Sequence, residues 1–187
     1  MYIARILYPV EVLGPGKRIG IWFCGCSHGC KGCSNPELWH QQEKYKISID
    51  DVLALIHQIS DDNPVDGFTI TGGDPMEQSE DLFYLLKELK KISNDILVYT
   101  GFEKEELTEK QLENISLLID GKYVEELNDN SLLRGSSNQR IHILEEAQKN
   151  KYEIYLNTET NKIQNFTTKD GIVSVGIHKL DFMKEEN

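Results

Sequence analysis

The chain has 187 residues, 39% of them hydrophobic and 27% charged, which suits a single globular domain with enough chain to bury a core. Thirty-one acidic against twenty basic residues give a formal net charge of −11, and this argues against sequence-independent nucleic-acid binding, which needs a basic face to neutralise phosphates. The sequence holds no apolar run long enough to span a membrane, and MYIARILYPV has neither a charged n-region followed by a long apolar run nor a cleavage site, so a cytoplasmic location is expected.

In chain order, Tyr2 to Tyr8 is an apolar and aromatic run that predicts a strand, followed by the turn Leu13-Gly14-Pro15-Gly16. Arg18 to Phe23 predicts a second strand, which delivers a cysteine-rich loop from its C-terminal end, and the loop runs on to Trp39 and His40. Ser48 reads as the N-cap of an amphipathic helix carrying Val52, Leu55, Ile56 and Ile59. Phe68 to Thr71 predicts a short buried strand that ends in Gly72-Gly73-Asp74-Pro75, after which Ser79 caps a helix with Leu82, Phe83, Leu86, Leu89 and Ile92 on its apolar face. Asp95 to Thr100 ends in Gly101, Thr108 to Ile115 is helix-compatible, and Leu117 to Asp120 ends in Gly121.

This alternation of strand, loop and helix implies parallel strands with right-handed crossovers. The expected fold class is α/β: a partial (β/α) barrel over residues 1–150, since about five units cannot close an eight-unit barrel of about 250 residues. Leu133 to Arg140 reads as a polar loop or site wall, Ile141 to Ile143 as a further strand, and Glu145 to Lys151 as a short helix or linker. Tyr152 to Asn157 and Ile172 to Ile177 are β-rich, so residues 151–187 are expected to form a short C-terminal antiparallel β extension packed on the domain near its mouth, ending in the frayed tail Lys184 to Asn187.

All four cysteines fall within ten positions, Cys24 to Cys33, and Cys26, Cys30 and Cys33 form C-x3-C-x2-C. Three close thiolates suit a four-iron, four-sulfur cluster with one iron left without a protein ligand. A structural zinc site, which would need Cys24 as a cramped fourth ligand, a disulfide and a redox dithiol are the competing readings. Lys17, Arg18 and Lys31 gather around this stretch, against the sign of the rest, and read equally as solvated charge or as a docking patch.

Gly72, Gly73, Asp74 and Pro75 make either a plain turn or a segment whose bare backbone a ligand can approach, and Thr100 and Gly101 end the next strand in the same way. Asp120 and Lys122 point to the same mouth or form a surface ion pair. Arg134, Ser136, Ser137, Asn138 and Arg140 offer donors for a carboxylate or for main-chain groups of an incoming loop, unless the loop is stitched to itself. Cys24 reads as a small buried hydrophobe, His28 as an exposed residue, and His57 and His178 carry no readable role.

GPGKRIGIWFCGCSHGCKGC, TGGDP, VYTGF, DGKY and RGSSNQR, in that order over about residues 6 to 143, resemble the radical S-adenosylmethionine (SAM) superfamily, and within it the glycyl-radical enzyme activases of the anaerobic ribonucleotide reductase type. Ser34 stands where an aromatic residue often follows the third cysteine, and Leu13 where Asp or Asn often precedes Gly-Pro-Gly. The resemblance implies an oxidoreductase in which Cys26, Cys30 and Cys33 hold a [4Fe-4S] cluster and SAM binds the open iron, to be cleaved to a 5′-deoxyadenosyl radical that makes a glycyl radical on a partner. It further implies cofactor contacts from Gly72, Gly73, Asp74, Pro75, Thr100, Gly101, Ser136 and Asn138, and catalytic roles for Asp120, Lys122 and Arg134. The implied partners are a glycyl-radical enzyme such as anaerobic ribonucleotide reductase and a flavodoxin- or ferredoxin-type electron donor, with no nucleic acid and no membrane. A radical SAM tailoring enzyme acting on a peptide or small molecule, and a non-catalytic iron–sulfur or zinc protein, are the alternatives.

Overall fold

A computed structural model of the chain describes residues 1–169 and 171–177; the expected tail Lys184 to Asn187, and His178, lie outside the described residues. Six strands form one sheet in the order of the sequence: β1 (Ile3–Val10), β2 (Arg18–Phe23), β3 (Gly67–Gly72), β4 (Ile96–Tyr99), β5 (Leu117–Asp120) and β6 (Arg140–Ile143). The four central strands run parallel, with Ile21 beside Ile70, Ile70 beside Val98 and Val98 beside Leu118. Each parallel step crosses through a helix: α1 (Ile49–Asp62), α2 (Ser79–Leu89) and the single turn α3 (Glu109–Leu112).

The two outer strands differ from the parallel expectation, because β1 pairs antiparallel with β2 and β6 antiparallel with β5. A parallel return needs a crossover of a dozen or more residues, and the turn between Val10 and Arg18 is too short for one. Between β5 and β6 the only regular element is a three-residue 3-10 turn at Glu125–Leu127, so the chain re-enters from the end at which it left.

Alternation along the strands separates two apolar faces. Ile19, Ile21, Phe23, Phe68, Ile70, Ile96, Val98 and Leu118 pack under Val52 and Ile56 of α1 and Leu82, Leu85, Leu86 and Leu89 of α2. Ser48 caps α1 by accepting from the Asp51 amide at 3.1 Å. The second helix is entered differently from the expected Ser79 cap: Ser79 is its first residue, and the capping carboxylate is Asp74, which starts the preceding 3-10 turn Pro75–Gln78 by accepting from the Met76 amide at 2.9 Å.

The opposite face is covered by the C-terminal part of the chain, and here one expectation is corrected. Tyr152 to Asn157 is not a strand but lies inside helix α4 (Lys149–Thr158). The antiparallel pair that does form is β7 (Gln164–Thr168) with β8 (Gly171–Val175). Tyr152 of α4 is fully buried with Leu97, Leu117, Ile119 and Leu133. Val175 sits 4% exposed against Val10, Leu13 and Trp22, with Phe166, Val173 and Ile177 packed around it.

At the N-terminal edge of the sheet, Arg18 is completely buried. Its guanidinium grips both Asp95 carboxylate oxygens at 2.9 and 3.0 Å and donates to Thr69 Oγ1 at 2.8 Å and the Phe68 carbonyl at 2.6 Å. Tyr152 Oη and Lys151 Nζ of α4 donate to the same carboxylate at 2.5 and 2.6 Å. This removes Arg18 from the expected basic patch: it starts β2, at the other end of the strand from the cysteines. Lys31 is paired with Glu125 and Glu126 at 3.0 and 3.1 Å, so two of the three residues of the expected patch are engaged by carboxylates of the chain itself.

Candidate functional site

The parallel register brings the C-terminal ends of β2 to β5 to one edge, where Phe23 pairs with Gly72 and the cysteine loop, Gly72-Gly73-Asp74, Thr100-Gly101 and Gly121 converge. The cysteine loop is fastened at its stem, since the Gly25 amide donates to the Leu38 carbonyl and the Cys26 amide to the Trp39 carbonyl, both at 2.8 Å. A tight turn follows in which the Cys33 amide donates to the Cys30 carbonyl at 3.2 Å. The β3 loop lies directly against this stem: a Cβ at Gly73 would stand 2.4 Å from the Gly25 carbonyl oxygen, so only glycine lets the two main chains approach. The Asp74 amide, donating to that same carbonyl at 2.7 Å, locks the contact.

Cys26, Cys30 and Cys33 are half-buried, all three are free, and they line one cavity with Gly72, Gly73, Asp74, Thr100 and Gly101. Among the described residues, only Glu103, Glu105 and Asp120 offer three ligand atoms within 4.8 Å of one another. Three thiols around one cavity, with Cys24 turned to the His40 carbonyl, suit a cluster with one iron left open better than a four-ligand zinc site. Burial, with Asp74, Glu77 and Cys30 adding to it, pushes the Cys26 thiol up to about 11, and burial also raises Cys30. These thiols are therefore protonated until a cation binds and displaces the protons. Cys24 stands apart: fully buried beside Trp22 and Leu38, its Sγ donates to the His40 carbonyl at 3.1 Å, as a small core residue would.

Asp74 organises the rest. Its carboxylate, 1% exposed, accepts from Thr100 Oγ1 at 2.9 Å, the Gly101 amide at 2.7 Å and the Met76 amide at 2.9 Å, and meets His28 Nε2 at 2.8 Å. One side chain thus ties the ends of β3 and β4 to the cysteine loop. His28 is corrected from exposed to enclosed: its side chain is 7% exposed, its ring lies edge-on to Phe102 at 4.7 Å, and it faces the bare Cα of Gly101.

The remaining sequence-predicted residues are not brought to the cavity. Pro75 is buried in the 3-10 turn behind it. Asp120 does not line it but is held by Arg140, whose Nε and Nη2 donate at 3.1 and 2.5 Å, and by the Lys104 amide at 2.8 Å. Burial alone would raise the Asp120 carboxyl, and Arg140, the Lys104 amide and His142 together outweigh this and hold it below the usual carboxylate range. Arg140 also engages Glu103 and Glu105, which occupies that acidic trio with a cation of the chain's own.

Lys122 is exposed. Arg134 donates to Asp129 at 3.0 Å, Ser136 Oγ accepts from the Val124 amide at 3.1 Å, and Asn138 Nδ2 donates to the Lys122 carbonyl at 2.8 Å, so this loop is stitched to itself. What it presents to the cavity is Tyr123, Asn128, Gly135 and Gln139, while Leu13, Trp22, Val175 and Ile177 line another side. Gly135 and Gln139 fall in the stretch Leu133 to Arg140 that reads as a site wall, and Val175 and Ile177 in the extension expected near the mouth, whereas Tyr123 and Asn128 were not singled out. The nearest available signal was the aromatic in DGKY, and His28 and Asp74 are 46 positions apart with no local sign that they meet.

The family model described as "4Fe-4S single cluster domain" matches residues 12–142. The anaerobic ribonucleoside-triphosphate reductase-activating protein of Escherichia coli is 34% identical over 149 residues, covering 73% of this chain and 96% of that protein. The protein of the same name from Haemophilus influenzae is 37% identical over 147 residues, covering 72% and 94%, and that of Enterobacteria phage T4 33% over 141 residues, covering 72% and 90%. No helix among the described residues is long and apolar enough to cross a membrane. With its three cysteines spread around one cavity inside the matched region, the chain belongs to the 4Fe-4S single cluster domain family, alongside the anaerobic ribonucleoside-triphosphate reductase-activating proteins.

Proposed function

We propose that the chain is a radical SAM activase that generates a glycyl radical on an anaerobic ribonucleoside-triphosphate reductase. The observation that carries this reading is the single cavity shared by Cys26, Cys30 and Cys33, the Gly72-Gly73-Asp74 turn and Thr100-Gly101. When bound, the cluster and SAM supply the chemistry: one electron breaks a sulfur–carbon bond of SAM, giving methionine and a 5′-deoxyadenosyl radical that takes hydrogen from a glycine Cα.

The chain's part is to hold and to enclose. Cys26, Cys30 and Cys33 would ligate three irons. Gly72 and Gly73 present main-chain carbonyls without side chains to the ammonium of SAM, while Asp74 fixes that main chain from behind, its own oxygens already taken by Thr100, Gly101 and Met76. Thr100 and Gly101, which line the same cavity, would flank the nucleoside end. Two features support a partial barrel of the radical SAM type: the strands follow sequence order, and the site lies at the C-terminal ends of the parallel ones. The reductant would be a flavodoxin or ferredoxin, and the compartment the cytoplasm.

The test is anaerobic reconstitution with iron and sulfide, then reduction in the presence of SAM. Formation of 5′-deoxyadenosine, and a glycyl-radical signal by electron paramagnetic resonance on the added reductase, are the expected results. A reconstituted cluster that yields no 5′-deoxyadenosine would reassign the protein to non-catalytic iron–sulfur binding. Cleavage of SAM with no radical on the reductase would shift the substrate to another peptide or small molecule.

A further inference from the structure

The matched family region ends at residue 142, yet the cavity is walled by residues beyond it: Ser174, Val175, Gly176 and Ile177, which end the C-terminal hairpin. A hairpin of two strands is marginal alone in water, so its order comes from what it is pinned to. Gln164 bridges to the end of β1, accepting from the Glu11 amide at 3.0 Å and donating to the Pro9 carbonyl at 2.7 Å. Asn161 Nδ2 donates to the Asn130 carbonyl at 2.5 Å, across on the loop that forms the opposite wall. Val175 is buried against Leu13 and Trp22. At Gly176 the backbone is left-handed, φ +142°, and a Cβ would stand 2.4 Å from the Lys162 carbonyl, so this glycine lets the strand end turn in beside the cavity.

We propose that the hairpin is a specificity-determining wall of the cluster cavity, with Val175 and Ile177 setting its width so that a slim main-chain segment is admitted and a bulky group is refused. This rests on the glycyl-radical reading above, for a glycine-bearing loop is the slimmest peptide substrate there is. The hairpin's contribution to the lining is apolar through Val175 and Ile177, and the same cavity is lined by Cys26, Cys30 and Cys33 and by Tyr123, Asn128 and Gln139. Asn128 and Gln139 are already engaged within their own loop, so the hairpin acts on girth alone.

Thiol accessibility in the full-length, metal-free chain tests this without SAM chemistry, so its failure is separate from failure of the functional reading. A small alkylating agent, iodoacetamide, and a maleimide bearing a bulky dye are compared, with labelling at each cysteine mapped by mass spectrometry. In the double variant Val175→Ala, Ile177→Ala the bulky probe should reach Cys26, Cys30 and Cys33 roughly tenfold faster, while iodoacetamide changes little and Ile172→Ala, on the exposed side of the same hairpin, changes neither. Ser174→Trp, at the exposed rim, should slow the bulky probe by a similar factor. Should the double variant also expose Cys24, the hairpin has come away, and Ser174→Trp then decides alone. Equal bulky-probe rates in wild type and Ser174→Trp, or in wild type and a double variant that keeps Cys24 protected, would overturn the wall.

Discussion

Asp74 shows how a single residue governs a site without touching the reacting group. Removing its carboxylate would orphan the Thr100 hydroxyl, two backbone amides and the His28 ring, all in a place closed to water. Leaving buried donors unpaired costs about 1–3 kcal/mol each, less what relaxation recovers. Asp74→Ala should therefore lower the urea midpoint and weaken SAM binding while the reconstituted cluster still forms, because Cys26, Cys30 and Cys33 are all kept. Unchanged SAM affinity by calorimetry would take Asp74 out of the site. Cys24 gives the matching contrast: Cys24→Ala should keep the cluster's visible absorbance, since the thiol only fills core and donates to His40, whereas Cys30→Ala should lose it. The three cysteines that share the cavity were readable from spacing alone. Histidine 28 was not, because nothing local marks a residue whose partner arrives from another strand.

Among the elements, α4 was misread for a physical reason. Tyr152, Ile154 and Leu156 alternate as a strand would, but the face that packs is Tyr152, Tyr155 and Leu156, at helical spacing, and Ile154 is left 54% exposed. What settles the matter is Asp95, whose carboxylate needs the Tyr152 phenol and Lys151 beside Arg18. Burial alone would raise Asp95, and the Arg18 guanidinium, helped by Lys151 and Tyr152, reverses this and holds the carboxyl below its usual range. A depressed carboxyl stabilises the fold above its unfolded value of about 3.9 and loses that contribution as pH falls through the folded value. Tyr152→Phe deletes one donor to the charged form, a bond of the kind worth about 1.5–3 kcal/mol. Its deficit relative to wild type should be full at neutral pH and shrink below about pH 4, measured as urea midpoints across the range. A deficit that does not change with pH would mean that the phenol contributes only packing.

For the whole molecule, the strands from β1 to β6, the glycines at the ends of β3 to β5 and the cysteine loop were legible because period and punctuation are local. The cover on the second face was half legible: the β-rich tail had to pack on something, but the helix within it and its buried ionic tie depended on contacts made 56 or more positions away. That cover carries the last prediction. A chain stopped at Asn150 would strip Tyr152 and Lys151 from Asp95 and uncover Leu97, Leu117, Ile119 and Leu133 on one side and Val10 and Trp22 on the other. Each aliphatic or aromatic side chain returned fully to water costs about 1.5–3 kcal/mol, so even three or four of them reach the order of a domain's entire stability of about 5–15 kcal/mol. The truncated chain should therefore be recovered as aggregate or unfold without cooperativity, as seen by size-exclusion chromatography and urea titration. It should also fail to retain iron after reconstitution, since β2, which carries the cysteine loop, would lose the packing on Trp22. A soluble truncated monomer with a wild-type cluster and full SAM cleavage would show that the helix and hairpin are ornaments on a domain that stands without them.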